Sequence, residues 1–501
     1  MKNEKILLRK RKENKMEQEN RKFYKLLILL SAIMFVSSQI IGWGQGLWAD
    51  ELETFKLLKL NHMNFFKWVF LPNGSNGNIF IILCRCWAEI GELLRFNETI
   101  YWDKWLLIFP SIISAVSLFF VGLAGKKINN NNSGIICALL YMLSYENVYN
   151  SMEFRFYPWL ICFMAISIVC YLNIMDENGE KWKNVILYGV SMGMCVNAQV
   201  LNAWAFVALG VLDFILWIRH KRPFKIFVAY IIGLMMTVPY LLYLLTLGAM
   251  GEEVLWDGGD PTLHELISTI PNIINNDILV LIFCIAFVWS IAYAKVNKKM
   301  FVVTVLPVAA VLLNFFATRI FIAIRGFDPN IFMVRYMQYL APLFIISIGC
   351  MIYYVSSKII EIDMRKSIVI GAGMALWIGT LYLPSFIKNG GPMQGGIEQY
   401  TRWIVKHYDE YGDDSLFIMY EANELYADTI RESFIDPFID GTVHFSNEVD
   451  RDYIETNYPK WVIMDSRLDG QPYLPEYELD STIEFDRYDC GLDIYKLNLD
   501  N

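Results

Sequence analysis

Two adjacent carboxylates, Asp50 and Glu51, stand directly after the first long apolar stretch of the chain. Beside a membrane, partial loss of solvation and the neighbouring like charge raise the pKa of a carboxyl group. A carboxylate with a raised pKa can act as a general base that removes a proton from a hydroxyl. The structural alternative is a helix start, because Asp50 is a good N-cap and Glu53 stands at the capping-box position that follows it.

A second polar group, Glu153, Arg155 and Tyr157, lies where one predicted span ends and the next begins. The planar guanidinium of an arginine can bind a phosphate through two parallel hydrogen bonds. Arginine and tyrosine also anchor helices at a membrane boundary without any ligand. Phosphate binding and anchoring therefore both stay open for this group.

A third group contains the arginines Arg319, Arg325 and Arg335, close to two late apolar segments. On the outer side of a membrane, this positive charge runs against the usual distribution and indicates an anionic partner, most simply a lipid phosphate. Pairing with Asp328 or with the acidic segment 252–260 is the structural alternative.

The elements that must position these groups are membrane helices. Of the 501 residues, 55% are hydrophobic and only 19% are charged, and many apolar runs reach the length of about 20 residues that crosses a bilayer. We predict a polytopic α-helical membrane protein with about 11 transmembrane helices. The predicted spans are Tyr24–Gly42, 105–124, 133–150, 158–175, 185–201, 203–218, 224–246, 277–294, 301–318, 335–356 and 367–386.

The charge of the connecting segments predicts the orientation of the spans. Residues 1–25 are rich in Lys and Arg, and every predicted inner connection is basic. The positive-inside rule then places the N-terminus in the cytoplasm and Asp50, Arg155 and Arg335 outside. Counting Ile79–Leu94 as a span would move the basic connections outside, so we predict a surface or half-inserted helix there.

Composition divides the chain into three parts. Residues 1–23 form a basic cytoplasmic tail, residues 24–387 form the multi-span domain with a first outer loop at 44–104, and residues 388–501 form an acidic, soluble extracytoplasmic α/β domain. Within the loop, Ala49–Phe70 predicts an amphipathic helix lying on the membrane. In the acidic domain, patterning predicts strands and helices; the strands fall near 416–420, 461–464, 482–485 and 492–497, and the helices near 399–408 and 423–434.

Local sequence gives no signature of a metal site or a cofactor. The nine cysteines and five histidines show no CxxC or HExxH spacing, and Cys490 stands alone in the acidic domain, which excludes a disulfide within it. A divalent metal held by residues assembled in space is left open. The expected partners are a lipid bilayer and its components, with no nucleic acid.

The order of these groups resembles the GT-C superfamily, whose members transfer sugars from polyprenyl phosphates. A first span is followed by W-x-D-E, a later loop contains E-x-R-x-Y, and R-Y-x-x-x-x-x-P, with Arg335, Tyr336 and Pro342, opens a late span. The resemblance covers approximately residues 25–360 and is closest to bacterial relatives of protein mannosyltransferases and of the aminoarabinose lipid A transferase. The chain departs from many relatives in having Asn76-Gly77-Asn78 where they have a His-Pro-Pro-like run.

The resemblance implies a glycosyltransferase in the plasma membrane, with Asp50 as the catalytic carboxylate and Glu51 beside it. A sugar would move from a polyprenyl-phosphate donor to the hydroxyl of an extracytoplasmic glycan, lipid or protein, with inversion at the anomeric carbon. The implied donor-phosphate residues are Arg155, Arg335 and Arg325. The implied walls of the substrate cavity are Glu153, Tyr157, Tyr336 and Gln199, the last in a polar bend that often contains His in relatives.

A competing interpretation is a lipid or solute transporter or flippase without catalysis. Transporters carry ionisable groups near the bilayer midplane, whereas the predicted spans are nearly free of central charges, Asp213 near an inner end being an exception. A third interpretation is an inactive receptor whose acidic domain binds wall polymers. Normal function after Asp50→Asn would favour that receptor.

Overall fold

Long apolar helices and a small sheet divide the chain into a helical bundle and a C-terminal domain. The computed structural model describes residues 2–44, 46–47, 49–70, 78–176, 181–219, 221, 223–250, 261–325, 332–389, 397–411, 415–418, 430–439, 443–446, 451–465, 477–484 and 491–498. The bundle contains α1 (Lys2–Ile41), α2 (Ala49–Leu58), α3 (His62–Phe70), α4 (Asn78–Leu93), α5 (Trp102–Ile128), α6 (Asn131–Met142), α7 (Tyr145–Asn150), α8 (Tyr157–Ile174), α9 (Trp182–Ala198), α10 (Ala203–Ile218), α11 (Ile226–Met250), α12 (Leu263–Ile274), α13 (Asp277–Ala292), α14 (Lys298–Arg325), α15 (Ala341–Ile359), α16 (Met364–Gly379) and α17 (Leu383–Asn389).

The bundle belongs to a multi-pass membrane protein. Among the described residues, 6 helices are long and apolar enough to cross a membrane, or up to 7 if a bent pair counts as one span. These helices are Asn14–Gly44, Trp102–Ile128, Tyr157–Ile174, Val200–Ile218, Lys298–Ile324 and Val334–Ile359. The apolar character that predicted a membrane protein from sequence is thus confirmed, while the predicted number of about 11 spans is not confirmed.

Several predicted spans are shorter or more broken than the apolar runs indicated. The predicted span 133–150 is divided between α6 and α7, because Ser144 adopts an extended backbone at the start of α7. The predicted span 277–294 corresponds to α13, which meets the preceding helix α12 at 107°, with Asn275 in the left-handed conformation between them. Hydropathy reports how apolar a segment is, and it does not report where the backbone turns within that segment.

Close approach of helices holds the centre of the bundle together. Helix α5 packs against α1, α6 and α8, and α6 packs in turn against α15 and α16. At the crossing of α5 and α6, a Cβ on Gly134 would lie 2.5 Å from the carbonyl oxygen of Gly122. Small residues that let two backbones approach are typical of membrane helix packing, so this crossing requires glycine.

The first loop, residues 44–104, contains α2, α3 and α4. The prediction of one continuous helix over Ala49–Phe70 was wrong, because α2 ends at Leu58 and α3 begins at His62. Between them, the side-chain oxygen of Asn61 accepts a hydrogen bond from the backbone N–H of Asn64 at 2.9 Å. An asparagine in that role starts a new helix, which explains the break.

Helix α4 corresponds to the predicted surface or half-inserted helix at 79–94, and it is not among the membrane-crossing candidates. Its Trp87 ring stacks on that of Trp105 with 4.5 Å between ring centroids. The two indoles also exchange hydrogen bonds with each other's backbone carbonyls, at 2.9 and 3.1 Å. This double contact fixes α4 against the beginning of α5.

The C-terminal domain is built on a five-stranded mixed sheet in the order β2-β1-β3-β5-β4. Its elements are α18 (Ile397–Tyr411), β1 (Ser415–Ile418), β2 (His444–Ser446), α19 (Arg451–Asn457), β3 (Trp461–Asp465), β4 (Tyr477–Glu484) and β5 (Gly491–Leu497). Strand β1 pairs in parallel with β2 and β3, whereas β5 runs antiparallel to β3 and β4. The four predicted strands and the predicted helix near 399–408 are confirmed, and the short β2 and α19 were not predicted.

Candidate functional site

The turn between α7 and α8, residues 151–156, is held against the end of α1. The Gln39 side chain donates a hydrogen bond to Ser111 Oγ at 2.7 Å, and Ser111 Oγ donates in turn to the Ser151 carbonyl at 2.7 Å. A Cβ on Gly42 would lie 2.7 Å from the side chain of Met152. These contacts give the turn a fixed backbone on which its polar side chains can be positioned.

Glu51 connects the first loop to this turn. Its side chain is fully buried, and its carboxylate accepts a hydrogen bond from the backbone N–H of Phe154. Helix α2 begins at Ala49, so Asp50 lies in the first helical turn and not at the N-cap position expected from sequence. The side chain of Asp50 lies outside the described part of the chain.

Buried carboxylates gather around Tyr149 on α7. Burial, followed by the charges of Glu153, Glu146 and Glu51, raises the pKa of Tyr149. Burial is also the larger reason that the pKa of Glu146 is raised to about 8, and the nearby charge of Glu153 adds to it. A carboxyl group with a pKa near neutrality can both hold and release a proton under ordinary conditions.

Two arginines, Arg155 and Arg335, lie near the same turn. The guanidinium of Arg155 lies over the ring of Phe156, 5.4 Å from its centroid. The 3₁₀ helix Val334–Leu340 packs against α8 and carries Arg335, whose Nη2 donates to the Tyr336 hydroxyl at 3.3 Å. Both arginines act electrostatically on Tyr157, at the start of α8, so the structure brings the two together.

The structure places the other predicted residues as follows. Gln199 is buried at the end of α9, before the 3₁₀ helix Val200–Asn202, and that helix packs against the one carrying Arg335. Arg319 is exposed, with its guanidinium 5.8 Å from the centroid of the Phe315 ring. The side chain of Arg325 lies outside the described residues, as do Asp328 and the acidic segment 252–260.

Glu146 is the buried carboxylate of this group that the sequence analysis missed. It was counted as part of the predicted span 133–150, in which an acidic residue is unusual. An ionisable residue inside an apolar run is itself a functional signal, and applying that rule to 133–150 would have identified Glu146. Its side chain accepts a hydrogen bond from Asn150 Nδ2 at 3.4 Å.

Acids and arginines from three elements lie around the turn between α7 and α8. The carboxylates of Glu51 and Glu153 can accept protons or orient a hydroxyl, and the guanidinium groups of Arg155 and Arg335 can stabilise negative charge on a phosphate. The described residues include no group of three or more His, Cys, Asp or Glu side chains that could hold a metal ion. These carboxylates and guanidinium groups could together support a proton transfer beside a negatively charged group.

The chain is similar to known proteins in its structure but not in its sequence. No protein-family model matches the chain, and no curated protein sequence matches it. The solved structure of ArnT from Cupriavidus metallidurans in the apo state has a TM-score of 0.55 at 11% identity, covering 94% of this chain and 98% of ArnT. ArnT bound to undecaprenyl phosphate gives a TM-score of 0.55 at 9% identity, covering 94% and 97% of the two chains.

A third similar structure is the oligosaccharyltransferase of Archaeoglobus fulgidus. Its TM-score is 0.48 at 12% identity, and the match covers 88% of this chain and 68% of the transferase. At these identities the likeness to ArnT shows a shared fold, and it extends over nearly the whole of both chains. The predicted architecture, a polytopic helical domain followed by a small C-terminal sheet domain, is confirmed by it.

Proposed function

We propose that this chain, which has the GT-C membrane fold, is a glycosyltransferase that moves a sugar from a polyprenyl-phosphate donor to the hydroxyl of an extracytoplasmic acceptor. The observation that carries the proposal is the meeting of buried carboxylates and arginines at residues 151–157. Glu51 is fixed against the N–H of Phe154, and Arg155 and Arg335 both act on Tyr157. This reaction needs a base and a phosphate-binding group close together.

Asp50 is the general base in this proposal, with Glu51 as the neighbour that holds α2 in place. The acceptor oxygen attacks the anomeric carbon, its proton passes to the Asp50 carboxylate, and the bond between the anomeric carbon and the phosphate oxygen breaks. A single displacement of this kind inverts the anomeric configuration. General-base catalysis contributes about 10²–10⁴-fold to such a rate.

Arg155, Arg335 and Arg325 bind the donor phosphate in this proposal. The departing phosphate gains negative charge as its bond to the sugar breaks. Guanidinium groups that are already in place stabilise this charge without having to reorganise during the reaction. Glu153, Tyr157, Tyr336 and Gln199 form the walls around the sugar.

The donor class is supported by the structural neighbour with the same fold, since ArnT has been solved with undecaprenyl phosphate bound. The basic inner connections support a plasma-membrane protein with a cytoplasmic N-terminus. The same rule places the site and the C-terminal domain, 388–501, outside. The acceptor is accordingly an envelope glycan, lipid or protein.

A transporter is the second candidate, and Asp213 is the observation that favours it. This carboxylate is fully buried in the apolar helix α10, and intramembrane carboxylates often mark transport pathways. It accepts hydrogen bonds from the hydroxyls of Tyr171 at 2.9 Å and Tyr230 at 2.7 Å. These tyrosines come from two further helices, α8 and α11, which also fits a role in holding helices together.

The proposal is tested with purified protein in lipid nanodiscs, a panel of polyprenyl-phosphate sugars and a cell-envelope extract that supplies acceptor hydroxyls. Mass spectrometry should show loss of the sugar from at least one donor and release of the polyprenyl phosphate. The matched control is Asp50→Asn, which keeps the size of the side chain and removes the base. A wild-type protein that consumes no donor, yet moves a donor across a sealed vesicle membrane, would replace the transferase with the transporter.

A further inference from the structure

Helix α2, which carries Asp50 and Glu51, is too short to hold its own position. It has 10 residues, and isolated helices of fewer than about 12–15 residues are marginal in water. Its place therefore depends on tertiary contacts. One of these is the hydrogen bond from the Phe154 N–H to Glu51, which fixes the helix from the side of the bundle.

The C-terminal domain contacts α2 from the other side. Residues 430–434 form a helical turn of that domain, and the ring of Phe434 packs on that of Phe55 with 5.3 Å between centroids. Phe55 is 2% exposed and stands one helical turn, about 5.4 Å, beyond Glu51. The domain therefore reaches α2 one turn away from the carboxylates.

Helix α18 anchors the same domain to the end of the first loop. Arg402 Nη2 lies 3.2 and 3.3 Å from the two carboxylate oxygens of Asp103, and its Nε donates to the Ile100 carbonyl at 3.4 Å. Its guanidinium also lies 5.0 Å from the centroid of the Tyr101 ring. The Asp103 side chain is 7% exposed, so this ion pair is well shielded from solvent.

A narrow groove joins these two contacts. Its walls include Leu52 of α2, Phe434 of the helical turn, and both partners of the ion pair, Asp103 and Arg402. The buried apolar cluster of the bundle also continues into the C-terminal domain. Loss of either domain contact is therefore expected to displace α2, because packed side chains connect both contacts to that helix.

We propose that the C-terminal domain is a positioning element of the transferase site, in which Phe434 and Arg402 hold α2, the helix that carries Asp50, in its position beside the turn between α7 and α8. The inference rests on the proposed function. Phe434 acts directly on α2, and Arg402 acts by fixing the domain to the loop that ends at Asp103. A displacement of about 1 Å at a reacting group can lower a rate by about 10²-fold, so loss of either contact should slow turnover.

The test compares Phe434→Ala with Tyr453→Ala, which removes another aromatic ring of the same domain, one that stacks on His444. For Phe434→Ala, kcat should fall by about 10²-fold, while KM for the donor changes little because Arg155 and Arg335 are untouched. Tyr453→Ala should leave kcat near that of the wild type.

The ion pair is tested with Arg402→Leu, Arg402→Lys and the control Lys406→Leu, which removes an exposed positive charge one turn further along α18. Arg402→Leu should lower kcat by about 10-fold or more, and Arg402→Lys should restore part of it, since a lysine keeps the charge but not the paired geometry. Lys406→Leu should change neither kcat nor KM.

Hydrogen exchange of the amides of Ala49–Leu58 gives a readout that needs no catalysis. Exchange should be faster in Phe434→Ala and Arg402→Leu than in the wild type and both controls, because local opening of α2 becomes easier. Unchanged hydrogen exchange in α2 would overturn the inference. A fall in kcat that is accompanied by comparable falls in donor affinity and in thermal stability would also overturn it. If the wild type consumes no donor, the proposed function fails, and the exchange result still decides whether the domain holds α2.

Discussion

Buried acidic side chains occur in two regions of this molecule, and their surroundings differ. Asp213 lies within the helical bundle, where it accepts hydrogen bonds from tyrosines on α8 and α11. Glu51, on α2, and Glu153, on the turn between α7 and α8, are both buried near Arg155. Along α8, Tyr171 is about 20 Å from Tyr157 at 1.5 Å per residue, so the two regions are well separated.

This difference indicates what each region does. Tyrosine hydroxyls from neighbouring helices give Asp213 stable hydrogen-bond partners, which suits a carboxylate that holds helices together. At the turn, the buried acids Glu51 and Glu153 lie close to Arg155. Preorganised charges of both signs are what a proton transfer coupled to the departure of a phosphate requires. Substitutions should therefore affect activity in one region and stability in the other.

The largest effect is expected from the carboxylates of the first loop. Asp50→Asn should lower kcat by about 10²–10⁴-fold, which is the usual contribution of a general base. Glu51→Gln should cost less, because the amide oxygen can still accept the hydrogen bond from Phe154. Both are measured as initial rates of sugar transfer on variants matched to the wild type for membrane level and thermal stability. A larger loss for Glu51→Gln than for Asp50→Asn would exchange the roles of the two residues.

A somewhat smaller loss is expected for the phosphate-binding arginines. Arg335→Ala should lower kcat/KM by about 10²–10³-fold, the range seen when one preorganised donor of transition-state charge is removed. Arg319→Ala is the control, since Arg319 is an exposed arginine that stacks on Phe315. Steady-state kinetics across donor concentrations checks both. Equal losses in the two variants would mean that positive charge in general, and not the position of Arg335, is required.

The pH dependence of stability separates Glu146 from an ordinary surface acid. Its pKa in the folded protein is raised to about 8 from an ordinary value of 4.5, so between those pH values the folded state binds the proton that the unfolded state has lost. Stability should then fall as the pH rises through this window, by at most about 1.4 kcal/mol per pH unit. Above pH 8 the decline should level off.

Glu146→Gln removes this titration and should flatten the decline. Unfolding in nanodiscs, followed between pH 5 and pH 9 by intrinsic fluorescence, measures both proteins. The variant should be close to the wild type at the acidic end and more stable at the alkaline end. If the stability of the wild type falls no more steeply between pH 5 and pH 8 than that of Glu146→Gln, the burial of Glu146 would be contradicted.

The smallest effect is expected at Asp213. Asp213→Asn keeps an oxygen that can accept a hydrogen bond from one tyrosine, so the free energy of unfolding should fall by only about 1 kcal/mol, in the range of interhelical hydrogen bonds in membranes. Tyr230→Phe, which removes one donor hydroxyl, should cause a similar loss. Thermal unfolding of both variants in nanodiscs is the measurement, and unchanged stability would remove the helix-holding role.

The sequence predicted those parts of the fold that local patterns determine. Apolar runs located the membrane helices, short runs typical of strands located four strands of the C-terminal sheet, and E-x-R-x-Y identified the turn that carries Glu153 and Arg155. The break between α2 and α3 was missed, because Asn61 is one of several polar residues there and only its hydrogen bond to Asn64 shows that it starts a helix. Amphipathic spacing alone does not distinguish one helix from two.

Contacts between distant parts of the chain were beyond the reach of the sequence. Asp103 and Arg402 are separated by 299 positions, and neither residue stands in a motif that specifies its partner. The same holds for Phe55 and Phe434, since aromatic residues are common throughout this chain. Pairing of this kind depends on how the C-terminal domain lies on the first loop, and a single sequence carries no direct record of that arrangement.

The most direct test is a single-turnover experiment with enzyme in excess over a labelled polyprenyl-phosphate sugar, with a cell-envelope extract as the source of acceptor, run in parallel on Asp50→Asn and Asp213→Asn. Each protein is reconstituted in nanodiscs, and the rate is expressed per folded molecule. The placement of sugar transfer at the turn of carboxylates and arginines predicts that Asp213→Asn releases polyprenyl phosphate at close to the wild-type rate and that Asp50→Asn releases it about 10²–10⁴-fold more slowly. Release of polyprenyl phosphate by Asp50→Asn at the wild-type rate, together with loss of this release in Asp213→Asn, would contradict that placement.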